Sequence, residues 1–118
     1  MKRLPPDKQI EVLVNAKGIY NDFINYNIVP GLCRVISEAI DNIYDTNCTY
    51  DYNELKKYVP SFNRTHVGKI CRKYNLTRVG RHSYWWPTSD ICVRIKVLDI
   101  LIKELEDESR NNKEQQKF

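Results

Sequence analysis

The sequence predicts a mainly α fold of four or five helices with one small β-hairpin. Three observations carry that prediction. Apolar residues recur at steps of three and four, the period of a helix with one buried face. The clearest runs are Leu32, Ile36, Ile40, Ile43 and Ile91, Ile95, Leu98, Ile102, Leu105. Residues that start or stop helices stand at the ends of such runs, among them Asp51, Pro60, Asn63 and Asn75. Between residues 76 and 86 the helical period gives way to short alternation and a cluster of strand formers.

Taken in order, Asp7 follows Pro5-Pro6 and is expected to cap a first helix. Its stripe is Ile10, Leu13, Val14, Tyr20, Phe23 and Ile24, and it ends near Asn25, with Gly18 as a weak point. Pro30-Gly31 opens a second helix over residues 31–45, with Pro30 suited to its first turn. Asp45-Thr46-Asn47 reads as a loop. Asp51 caps a short helix to Val59, and Pro60 closes it. Asn63 caps a further helix from Arg64 to about Tyr74, burying Val67, Ile70 and Cys71. Asn75 ends it because asparagine tolerates the left-handed conformation. Residues 76–86 form the hairpin, with Gly80-Arg81-His82 at the turn and Ser83-Tyr84-Trp85-Trp86 on its second strand. Pro87 stops it, and Thr88 or Ser89 caps the longest helix. That helix is apolar on more than one face, with Val93, Val97, Ile100 and Leu101 beyond the main stripe. It is expected to be the central core helix, and a homodimer through it is a further expectation. After Glu106 the apolar period stops, so residues 107–118 read as a charged, disordered tail. Residues 1–106 then make one globular domain.

The composition is that of a globular protein, 42% hydrophobic and 29% charged. No run approaches the roughly 18 apolar residues of a membrane span. The start, Met1-Lys2-Arg3-Leu4-Pro5, lacks the apolar region of a secretory signal. Cys33, Cys48, Cys71 and Cys92 are scattered without a CxxC pair, so reduced thiols in a cytoplasm are expected, and no metal site.

Charge is sharply segregated. Between residues 55 and 88 there is no Asp or Glu, yet the stretch holds Lys56, Lys57, Arg64, Lys69, Arg72, Lys73, Arg78 and Arg81, with His66 and His82. Those eight are drawn from 19 basic residues; the rest of the chain sets 11 against all 15 acidic ones. Such a segment points to a surface that meets an anion, most often nucleic acid or a nucleotide. The plainer alternative is a basic region balanced in three dimensions by acidic helices. Tyrosines 58, 74 and 84 and one tryptophan add a second use for the same patch: aromatics among arginines stack on bases, in a single strand or a small nucleotide messenger. Catalysis is not expected. His66 and Cys71 are five apart on one helix, the basic segment has no paired carboxylates, and there is no GK[ST] phosphate loop. No cofactor is expected either.

The order short helix, turn, basic helix, basic hairpin over residues 52–86 resembles a winged helix, and is similar to the small winged-helix domains attached to some phage primase-helicases. The resemblance implies that Arg64, Thr65, His66 and Lys69 face a DNA groove and that Arg72, Lys73, Arg78 and Arg81 contact phosphate. Tyr84 joins these as a candidate contact at the end of the hairpin. A second likeness rests on Pro30-Gly31-Leu32-Cys33, Tyr84-Trp85-Trp86-Pro87 and the run from Arg94 to Ile102 containing Leu98-Asp99. These look like a group of small uncharacterised phage proteins with a GLC helix, a YWxP strand and an RxxxLDxLI helix. That likeness implies a viral protein acting in the cytoplasm of an infected host cell. The expected function is therefore non-catalytic nucleic-acid binding by a phage-type regulator. The alternative is an anti-defence inhibitor, either an anti-CRISPR-like blocker of a host defence protein or a sponge for a signalling nucleotide. Arg94 and Asp99 have a plainer reading as helix surface or ion pairs.

Overall fold

A computed structural model describes residues 3–26, 28–45, 51–76 and 91–116 of the chain. They form five helices: α1 (Pro6–Asp22), α2 (Leu32–Tyr44), α3 (Tyr52–Tyr58), α4 (Arg64–Lys73) and α5 (Ile91–Gln116). No strand occurs among the described residues. Among the described residues the fold is all-helical, which corrects the expected mainly α fold with one small β-hairpin. Residues 77–86, assigned to the hairpin, lie outside the described residues. Leu76, the expected first strand residue, is drawn into the end of α4: its N–H donates to the Cys71 carbonyl at 2.8 Å, and its side chain packs on the core.

The longest helices organise the core. α1 packs chiefly on α5 and α2, α3 leans on α2, and α4 lies on α5. One apolar cluster draws on all five, including Val12, Leu13, Ile36, Ile40, Leu55, Val67, Ile70, Leu98 and Leu101. Pro5 is the N-cap of α1 and supplies no side-chain bond; Pro6 stands in the first turn, where a missing N–H costs nothing. Asp7 therefore lies inside the first turn rather than capping it, where its charge favours the helix dipole. Gly31 caps α2, placing Pro30 just outside the helix. Asp45 ends α2 with φ 52°.

α5 departs most from expectation. Its buried residues are Val97, Leu98, Leu101 and Leu105, while Ile91, Ile95, Ile100 and Ile102 are half-buried at the flanks. Two neighbouring helices, α1 and α4, cover it, so the buried band is wider than a single stripe. Of the apolar residues behind the dimer expectation, Val97 and Leu101 are buried and Ile100 packs against the core. The helix also continues to Gln116, so residues 107–116 are helical where a disordered tail is expected. Glu, Lys, Arg and Gln are good helix formers, and Arg110 pairs with Asp107 one turn back at 3.9 Å.

Two polar ties hold the ends of the elements. Gln9 is buried, donating from Nε2 to the Leu4 carbonyl (2.7 Å) and accepting from the Ser61 hydroxyl (3.4 Å). The Leu4 N–H in turn donates to the Tyr58 carbonyl at 3.0 Å, fastening the chain start beside the α3–α4 turn. The second tie is at the entry to α2. The fully buried Tyr20 donates its hydroxyl to the Pro30 carbonyl at 2.8 Å, and Arg94 of α5 donates to that carbonyl at 3.0 Å and to Tyr20 Oη at 3.4 Å. Asp99 forms an ion pair with Lys17 of α1. So Pro30, Arg94 and Asp99, singled out as a sequence pattern, join α1, α2 and α5.

Burial raises the Tyr20 hydroxyl above its ordinary 10.0, with the hydrogen bond and charge of Arg94 pulling the other way. A raised folded-state value means the unfolded chain loses this proton first. The stabilisation is present below pH about 10 and is lost as pH rises through the higher folded value. Urea unfolding between pH 8 and 11 should show wild-type stability falling at the alkaline end, with a shallower fall in Tyr20→Phe. Parallel curves would contradict the assignment.

Candidate nucleic-acid interface

The candidate surface is built on α3, α4 and the turn between them. Asp51 caps α3 by accepting from the Glu54 N–H at 2.9 Å. In the turn, Val59 and Phe62 are buried, which plants the connection on the core. Asn63 then caps α4, its Oδ1 accepting from the N–H groups of Thr65 (2.9 Å) and His66 (3.2 Å). The Arg64 N–H donates to Tyr52 Oη at 2.9 Å. At the other end Asn75 adopts φ 53°, its N–H donating to Arg72 O and that of Leu76 to Cys71 O. This is a Schellman cap with asparagine in the left-handed position. Both ends of α4 are therefore held by bonds its own sequence supplies.

Val67, Gly68, Ile70 and Cys71 are the buried residues of α4. At about 100° per residue, Thr65, Lys69, Arg72 and Lys73 fall together on the opposite arc, and all four are exposed. No ion pair among the described residues involves Lys69, Arg72 or Lys73. Lys73 lies over the ring of the exposed Tyr74, 5.4 Å from its centroid. Arg72 and Lys73 also suit the last turn electrostatically.

Two of the expected groove-facing residues are directed elsewhere. Arg64 starts the helix at one edge of this face and stacks over Tyr52, 4.3 Å from the ring centroid. His66 turns towards α5, where its Nε2 meets Glu104 Oε1 at 2.7 Å. The structure thus brings Thr65, Lys69, Arg72 and Lys73 together and sets Arg64 and His66 on either side. Arg78, Arg81 and Tyr84 lie outside the described residues.

Sequence reasoning left three contributors out of the candidate contacts. Lys56 lies over the Tyr52 ring, 5.3 Å from its centroid, and Tyr52 itself organises Arg64. Tyr52 and Lys56 are four apart on a helix, a spacing that brings side chains together; nothing local joins either to Arg64. Glu104, from a distant helix, has no sequence signal at all.

Two clefts adjoin these elements. One of about 330 Å³ is lined by Arg3, Gln9, Ser61, His66, Glu104 and Glu108. The other, about 190 Å³, lies between Gly31, Leu32, Cys33 and Arg94. Burial raises the Cys33 thiol, against the opposing pull of Arg64. Among the described residues no group of three or more His, Cys, Asp or Glu is arranged to hold a metal ion, and no helix is long and apolar enough to cross a membrane. The chain matches no family model, no curated protein and no solved structure.

Replacing Asn63 by Ala removes the cap that seats α4 and should cost about 0.5–2 kcal/mol of stability, with Asn63→Asp retaining most of it. Urea denaturation checks this. An unchanged midpoint in Asn63→Ala would show that packing alone places the helix.

Proposed function

We propose that the protein is a non-catalytic nucleic-acid-binding protein and that the solvent face of α4 is its contact surface. The observation that carries this reading is the grouping of Lys69, Arg72 and Lys73 on one exposed face, outside every ion pair among the described residues. Lys and Arg supply the phosphate contacts that dominate nucleic-acid affinity. Thr65 on the same face adds a hydroxyl that donates to phosphate oxygen or to a base edge.

The shape of the surface favours a polymer over a single nucleotide. An exposed helix face is convex, whereas small ligands are held in concave pockets of about 300–1,000 Å³. The cleft beside His66 is also faced by Glu104 and Glu108, whose carboxylates repel phosphate. In the cleft beside Cys33, Arg94 already donates to the Pro30 carbonyl.

Fluorescence anisotropy with labelled duplex and single-stranded oligonucleotides over a salt series tests the reading. Three phosphate contacts give a log–log salt slope of about −3. The triple variant Lys69→Ala/Arg72→Ala/Lys73→Ala should lose two to three of those units while keeping its fold, since all three side chains are exposed. No binding to DNA or RNA at low salt, or a wild-type slope in the triple variant, would overturn the proposal.

A further inference from the structure

Beside the α4 face the structure holds two more cations close together. Lys56 on α3 and Arg64 at the start of α4 both lie over Tyr52, at 5.3 and 4.3 Å from its centroid. Tyr52 is fixed in turn: its ring meets Phe62 edge-on at 5.9 Å between centroids, and its hydroxyl accepts the Arg64 N–H. The two charges are thus kept within about 10 Å of each other, no more than a Debye length at 0.1 M salt, and they repel. Cation–π attraction to one ring offsets part of that repulsion.

We infer that Lys56 and Arg64, gathered by Tyr52, form a second phosphate contact, and that the ligand is a nucleic-acid duplex held by its backbone at two points. The inference rests on the proposed use of α4 and extends it to α3. The α4 N-terminus cannot provide this contact through its amides, because the N–H groups of Arg64, Thr65 and His66 already donate to Tyr52 and Asn63. Side chains must supply it. Arg64 and Arg72 are eight residues apart, about 12 Å along the helix. That distance is covered by three to four successive phosphates of one strand at 3.4 Å axial rise each. A mononucleotide is too short to touch both ends.

Among the described residues, the two aromatics that carry cations at this surface argue for a duplex over a single strand. Single strands are held by bases stacked on free aromatic faces. Tyr52 already carries Arg64 on its ring, and the exposed Tyr74 has Lys73 over its own. Both rings serve to position cations, which suits a backbone whose bases are paired and turned inward.

The test compares salt slopes in the full chain. Lys56→Ala/Arg64→Ala should flatten the duplex slope by about two units, at about 0.9 per contact, and Lys56→Arg/Arg64→Lys should restore it. Circular dichroism and melting confirm that each variant is folded. Parallel titrations use duplex DNA, duplex RNA and a single strand with the same number of phosphates, and duplex binding should be tighter. A wild-type slope in Lys56→Ala/Arg64→Ala, while the α4 triple variant is flattened, would overturn the second contact and leave the α4 reading intact. Tighter binding of the single strand would overturn the duplex assignment. No binding by the wild-type protein would remove both.

Discussion

The burial of Val67, Ile70 and Cys71 fixes the roll of α4 about its own axis, and the character of the surface depends on that roll. Val67 and Ile70 each gain about 1.5–3 kcal/mol on leaving water. Half a turn of rotation would expose all three and drive Lys69 and Arg72 towards α5. Burying an unpaired ammonium or guanidinium costs several kcal/mol each. The preference is therefore large against any plausible gain from rearranging exposed side chains. The side-chain and Schellman caps at the two ends add to it by setting where the helix starts and stops. The basic face is the remainder of a helix whose apolar residues leave it one orientation.

Electrostatics then sharpen the boundaries of that face. On one side His66 is turned to Glu104, and the adjoining part of α5 carries Glu106, Asp107 and Glu108. On the other side Lys57 pairs with Glu54, while Lys56 and Arg64 each lie over the Tyr52 ring. The plainer expectation, that acidic groups balance the basic segment, holds at Lys57, and Glu104 engages the His66 ring, but it does not extend to Lys69, Arg72 or Lys73. Carboxylates therefore border α4 on the α5 side, and cations continue from α4 towards α3.

What could be read in the sequence follows from how local each determinant is. Asp51, Asn63 and Asn75 act on backbone groups within a few residues of themselves, and all three play the parts expected of them. The buried face of α4 was equally legible, since Val67, Ile70 and Cys71 repeat at helical spacing. Arg64 and His66 illustrate the limit. Their type and place on a helical wheel are visible, but their partners are Tyr52 and Glu104, separated from them by 12 and 38 positions. Leu76 shows a different failure: alternation over a few residues looks like a strand, and a helix cap used the first of them instead. Polar sequence after Glu106 reads as disorder because it lacks apolar period, although its residues favour helix locally. Pro30, Arg94 and Asp99 stood out as a pattern, and the fold gives them a structural role at the junction of α1, α2 and α5.

The central claim is that α4 presents Thr65, Lys69, Arg72 and Lys73 to a nucleic-acid backbone. Amide chemical-shift mapping of the isotope-labelled protein during titration with a short duplex tests it most directly, because it locates contact without altering any side chain. The account predicts that the largest shifts fall on Thr65, Lys69, Arg72 and Lys73 and spread to Lys56 and Arg64, with α1 and the acidic part of α5 little changed. Shifts centred on α1, α2 or the cleft beside Glu104, with α4 unmoved, would contradict it.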